Sequence, residues 1–194
     1  VLDSKGVVYK GRESNNEYNE KLAILTESDK EGTLSEVIKG ADVFIGVSKA
    51  GILKPKMVKN MNDKPIIFAL ANPEPEIYPK LAKKAGAFII ATGRSDYPNQ
   101  INNVLAFPGV FRGVLDARAS QINEEMKLKA AKRIAALVKD DLRKNKIVPD
   151  VFEKEVAYQT AIAVAKEAVK TGVAKKDYKF EDIKARIRNN LKIK

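Results

Sequence analysis

Three short runs of the chain are apolar at nearly every position: residues 41–47 (Ala-Asp-Val-Phe-Ile-Gly-Val), 64–70 (Lys-Pro-Ile-Ile-Phe-Ala-Leu) and 87–92 (Ala-Phe-Ile-Ile-Ala-Thr). Each has a Gly or Pro at its border. Continuous apolar character over so few residues predicts parallel strands covered on both faces, not the alternation of a half-wet sheet. Residues 33–39, 55–60 and 79–84 between them have helical character. Pro55 and Pro79 suit a first helical turn, where a missing N–H removes no hydrogen bond. Strands alternating with short helices predict a parallel α/β sheet with right-handed crossovers. Val1-Leu2-Asp3 reads as the end of a further strand whose beginning is absent, and no Met precedes it. Such a start fits neither a signal nor a transit peptide, so a fragment is expected.

From Ile101 onward the strand pattern stops. Residues 103–116, 123–139, 152–170 and 181–188 are predicted to be helical. Asn123 stands where an N-cap belongs, with Glu124 and Glu125 in the first turn. Val156, Ala161, Val164, Ala165 and Ala168 recur at helical spacing, and Gly172 closes that helix. The charged, proline-containing stretch 139–150 is the expected internal joint, dividing residues 1–140 from a helical segment 141–194.

Composition narrows the chemistry by subtraction. The 194 residues include no cysteine and no histidine. That excludes disulfides, thiol nucleophiles, His-based triads and His-ligated zinc. No apolar run approaches the roughly 20 residues of a membrane span, so a soluble, cytoplasmic chain with no membrane partner is expected. The net charge of +11 is concentrated at the end, with eight Lys/Arg against three Asp/Glu in residues 175–194. A basic tail of this kind is a solvated surface or a nucleic-acid contact. The seven Phe and six Tyr are scattered rather than interleaved with it, so no base-stacking platform is visible and nucleic acid is not the expected partner.

Candidate site residues gather where predicted strands end. Asp3, at a strand tip, can accept both hydroxyls of an adenine ribose and would repel a 2′-phosphate, or it is a turn residue in Asp-Ser-Lys-Gly. Lys5 and Arg12 lie close enough in sequence to offset its charge. No Gly-x-Gly-x-x-Gly loop is present; Gly46 and Gly51 have the wrong spacing. Gly46 either lets a ligand lie flat across a strand end or serves a turn. Asn72, followed by Pro73, offers amide donors and an acceptor at another strand tip, or makes an Asx turn. Asn99, Gln100, Asn102 and Asn103 put four carboxamides into five positions beside a helix start, a setting suited to a small carboxylate. Arg94 pairs with Asp96 or meets an anion.

Four long stretches carry a resemblance: Val-Leu-Asp-Ser-Lys-Gly-Val-Val-Tyr-Lys-Gly-Arg, Gly-Ala-Asp-Val-Phe-Ile-Gly-Val-Ser, Ile-Phe-Ala-Leu-Ala-Asn-Pro and Ala-Thr-Gly-Arg-Ser-Asp-Tyr-Pro-Asn-Gln-Ile-Asn-Asn-Val-Leu-Ala-Phe-Pro-Gly. In this order they resemble the cofactor-binding domain of malic enzymes (malate oxidoreductase, decarboxylating) of the shorter bacterial and archaeal form. The resemblance runs from Val1 to about Leu137 and more loosely to Ala174. It implies a Rossmann-like doubly wound parallel sheet, here lacking its first strand and glycine-rich loop, followed by helices. It implies oxidative decarboxylation of L-malate to pyruvate and CO2 with reduction of NAD, NADP being possible, in a homodimeric enzyme. It assigns substrate binding to Asn72, Asn102 and Asn103, and cofactor binding to Asp3, Gly46, Val47, Ser48 and Asn72. Mg2+ or Mn2+ and the Tyr/Lys proton-transfer pair belong to a preceding part of the family's sequence. No residue of this chain matches a metal ligand or a catalytic acid or base, and Tyr97 is no substitute. The chain alone is therefore expected to be inactive. The alternative is a non-catalytic dinucleotide-binding or assembly module of a split or degenerate enzyme.

Overall fold

A computed structural model describes residues 1–27, 30–175 and 179–192. The chain forms two compact units, Val1–Ile90 and Ala91–Lys194. This division falls well before the joint expected around residue 140. Part of the basic run 175–194, namely residues 176–178 and 193–194, lies outside the described residues.

The first unit opens with a two-stranded antiparallel ribbon, β1 (Leu2–Asp3) and β2 (Gly6–Val7), registered Leu2 to Val7 and Asp3 to Gly6. Residues 1–3 are thus extended, but they pair with the segment that follows and stand outside the parallel sheet. Helix α1 (Glu17–Thr26) follows, capped by Asn16, whose side chain accepts from the Asn19 amide at 2.8 Å. The sequence pattern did not single out α1 because its apolar residues form no sharp stripe; only Ala23 is buried. Helix α2 (Leu34–Val37) begins with a capping box between Thr33 and Glu36.

The predicted alternation then appears: β3 (Val43–Gly46), α3 (Pro55–Lys59), β4 (Ile66–Ala69), α4 (Pro79–Lys84) and β5 (Ile89–Thr92), at which the first unit passes into the second. The three strands form one parallel sheet with β4 in the middle. Between β3 and β4 the register runs from Val43 opposite Ile66 to Gly46 opposite Ala69. Leu53, Val58, Ile67, Ile77 and Ala82 form the core between the sheet and α3/α4.

The expectation that each strand is covered on both faces fails for β3. Phe44 is buried, whereas Val43, Ile45 and Val47 are 46%, 65% and 79% exposed. The reason is topological. Successive right-handed crossovers in one direction put α3 and α4 on the same face of the sheet, and these two connections bring no helix to the other.

The second unit is helical. A 3-10 turn (Asn103–Leu105) precedes α5 (Phe107–Ala117), so the helix expected from residue 103 starts four residues later, with Pro108 in its first turn. Then come α6 (Glu124–Ala136), α7 (Lys154–Lys170) and α8 (Phe180–Asn190). Asn123 caps α6 as expected, accepting from the Met126 amide at 3.0 Å. α7 packs along α5 and α6, burying Ala161, Val164, Ala165 and Ala168 against Met126 and Ala130. Close approach of α5 and α7 rests on two glycines. A Cβ at Gly109 would lie 2.5 Å from Thr160 Cβ, and one at Gly113 2.5 Å from the Ala161 carbonyl oxygen.

Candidate functional site

In the first unit, the carboxyl ends of β3 and β4 stand side by side, with Gly46 registered opposite Ala69. Val47 and Ser48 continue from β3 and are exposed; Asn72 lies just past β4 and is also exposed. Among the described residues of its unit, the Asn72 carboxamide has no hydrogen-bond partner. Its peptide bond to Pro73 is cis. In open α/β sheets ligands bind outside strand carboxyl ends, and here that edge presents an unpaired amide beside the backbone of residues 46–48.

Beneath this edge lies Glu76, whose side chain is fully buried. One carboxylate oxygen accepts from the Ser48 amide at 2.8 Å, the other from the Ala71 amide at 3.0 Å. The Ser48 hydroxyl adds a longer contact at 3.4 Å. The absence of a side chain at Gly46 serves this carboxylate: a Cβ there would lie 2.5 Å from Glu76 Cδ. Glu76 was not legible as a site residue. Its only signal is an acid set between Pro75 and Ile77, both buried.

In the second unit, Arg94 and Asp96 pair with each other, the Arg94 Nε–H donating at 2.8 Å. That contact holds the Asp96 carboxyl below its ordinary value. The Arg94 guanidinium also lies 5.7 Å from the Tyr97 ring centroid. Asn102 is engaged locally: its Nδ2 donates to the Gly93 carbonyl at 3.1 Å, and its Oδ1 accepts from the Val104 amide at 3.1 Å. Asn103 is exposed. Asn99 is buried and left-handed, with φ 58°. It donates to the Lys144 carbonyl at 2.8 Å and accepts from the Ile147 amide at 3.0 Å. Of the four carboxamides in this loop, two are therefore tied to backbone. The structure places Gly46, Val47, Ser48 and Asn72 together in the first unit, with Asn102 and Asn103 in the second.

Asp3 lies in the ribbon turn, where its carboxylate accepts from the Lys5 amide at 2.9 Å. It forms an ion pair with Arg12 and accepts from Asn19 Nδ2 at 3.2 Å. The Arg12 contact is the main cause of a pKa lowered to about 2. Arg12 is itself fixed by donating to the Val7 carbonyl at 3.0 Å and to Asn15 Oδ1 at 2.9 Å. Asp3 is thus held in the ribbon turn by these partners, with its side chain 32% exposed.

The donor set at the strand ends, an exposed carboxamide and accessible backbone, fits the amide of a nicotinamide. Among the described residues, no three Asp, Glu, His or Cys side chains are grouped so that they could hold a metal ion.

A parallel sheet with a polar ligand edge at its carboxyl ends belongs to the α/β class of small-molecule-binding domains. Residues 1–169 match the family model for the malic enzyme NAD-binding domain, and the chain belongs to that family. It is 54% identical over 178 residues to the bifunctional malic/malolactic enzyme of Bacillus subtilis, covering 90% of this chain and 43% of that protein. It is equally 54% identical over 178 residues to the NAD-dependent malic enzyme of Geobacillus stearothermophilus, covering 91% and 37%. The crystal structure of Entamoeba histolytica malic enzyme superposes with a TM-score of 0.89 at 36% identity, covering 98% of this chain and 41% of that one. The chain spans less than half the length of each of these proteins.

Proposed function

We propose that this chain is the cofactor-binding part of a malic enzyme that converts L-malate to pyruvate and CO2 while reducing NAD. The observation that carries this reading is the unpaired Asn72 carboxamide at the carboxyl end of β4, beside the exposed Val47 and Ser48, in a chain of the malic enzyme family. NAD, when bound, supplies the hydride acceptor for malate C2. The chain's own residues bind and orient. Asn72 would pair its exposed carboxamide with the nicotinamide amide and donate to the malate carboxylate. Gly46, Val47 and Ser48 form the floor. In the second unit, Asn103 is the exposed member of its pair and is free to meet a ligand, while Asn102 caps the 3-10 turn. Asp3, held in the ribbon turn by Arg12, keeps its side chain partly exposed and would accept from the ribose hydroxyls there, with the Arg12 charge offsetting its repulsion of a 2′-phosphate.

The chemistry that remains is absent from these residues. Decarboxylation of the ketoacid leaves an enolate, which needs charge neutralised on its oxygen and a proton delivered to carbon. No side chain here is matched to either task. In this reading the 194-residue chain does not oxidise malate, and it binds NAD weakly, through Asp3 and the strand ends. The test combines NAD titration by calorimetry with absorbance at the reduced-nicotinamide band in the presence of malate, NAD and Mn2+. Saturable NAD binding without turnover is the expected result; turnover at ordinary enzyme rates contradicts the division of labour, and absence of NAD binding contradicts the cofactor reading.

A further inference from the structure

A buried carboxylate with no basic side chain among its hydrogen-bond partners stands directly under the proposed cofactor edge. Glu76 is fully buried, and its two oxygens divide their bonds between strand ends: Ser48 after β3, and Ala71, which immediately precedes Asn72. The backbone reinforces this junction. The Gly51 amide donates to the Pro75 carbonyl and the Leu53 amide to the Glu76 carbonyl, both at 3.1 Å. Gly46 completes it, since any side chain there would displace the carboxylate.

We propose that Glu76 is a positioning residue for the cofactor edge, bracing the backbone of residues 46–48 and the Asn72 amide in one fixed relation. This role rests on the reading of that edge as the NAD site. The chemistry is specific to a carboxylate of this length. Two N–H donors converge on two acceptor oxygens, and a glutamine offers only one acceptor, setting its NH2 against the other donor. An aspartate is one methylene too short to span both. Glu76→Gln keeps side-chain volume while breaking one brace, so its effect separates positioning from packing. The geometry also gives Gly46 a task besides its place at the cofactor edge: it makes room for Glu76.

The experiment titrates NAD calorimetrically into the 194-residue chain, into Glu76→Gln, and into Glu74→Gln, an exposed neighbour. In parallel, the backbone amide resonances of Ser48 and Ala71 are followed and thermal melting is recorded. The expected result is NAD binding at least about tenfold weaker in Glu76→Gln, the size of losing one well-made bond to a charged group. The Ser48 or Ala71 amide proton moves upfield, the folded baseline is retained, and Glu74→Gln binds within twofold of the unaltered chain. Glu76→Gln binding NAD within twofold of the unaltered chain overturns the positioning role, as do unmoved Ser48 and Ala71 amides. An unaltered chain that binds no NAD overturns the cofactor reading and this role together, and that titration tells the two failures apart. Should Glu76→Gln not fold, Glu76→Asp, one methylene too short to reach both the Ser48 and Ala71 amides, carries the same expectation.

Discussion

The Ile147 amide donates to Asn99 Oδ1 at 3.0 Å, joining two loops 48 residues apart in the chain. Because Asn99 also donates to the Lys144 carbonyl and sits at φ 58°, one residue supplies both bonds and the left-handed turn. Asn99→Ala removes all three contributions. It is expected to lower stability by about 2–3 kcal/mol, measured by denaturant unfolding. Asn99→Gly retains the backbone freedom and is expected to cost less. Equal losses in the two variants would show that backbone conformation contributes nothing there.

The glycines of α5 provide a second contrast. Gly109→Ala or Gly113→Ala drives a methyl into α7 at 2.5 Å and is expected to cost about 1–3 kcal/mol by overpacking, or more where α7 cannot shift. Gly51 has a positive φ of 67° but nothing within 4 Å of its absent Cβ. Gly51→Ala is expected to cost only about 1 kcal/mol, from backbone strain. Melting curves of the three variants rank them.

The Asp3–Arg12 pair sets an acid limit. The folded pKa of Asp3 is lowered to about 2 from 3.8, so folding favours its ionised form. The stability it contributes is fully present above about pH 4 and is lost as pH falls through about 2. Carboxyl carbon chemical shifts should show Asp3 titrating well below an ordinary aspartate, and Arg12→Ala should return it toward 3.8. A normal titration in the unaltered chain would contradict the pairing.

The open face of β3 predicts unequal sensitivity along one sheet. Ile45 is 65% exposed and Ile67 fully buried. Ile45→Thr is expected to change stability by less than about 0.5 kcal/mol, whereas Ile67→Ala should cost about 2–5 kcal/mol. A large loss at Ile45, measured by urea unfolding, would show that this face is covered in solution.

The parallel sheet was legible because its strands are short, continuously apolar and fenced by Gly and Pro, and because Pro55 and Pro79 mark helix starts. The uncovered side of β3 was not, since periodicity reports how apolar a strand is and not which neighbours arrive to bury it. α1 escaped notice for the converse reason: an exposed helix needs no stripe. At the candidate site, the strand-tip position of Asn72 followed from local sequence. The engagement of Asn99 with residues 144 and 147, and of Asp3 with Arg12, depended on folding partners. Glu76 was the least legible, because nothing local distinguishes a buried acid held by two backbone amides from a surface one.

The most direct test of the central claim, that NAD binds at the carboxyl ends of β3 and β4, is residue-by-residue mapping of backbone amide shifts during NAD titration of the 194-residue chain. The account predicts saturable shifts centred on Gly46, Val47, Ser48 and Asn72. Shifts confined to other surfaces, or no shifts at millimolar NAD, would contradict it.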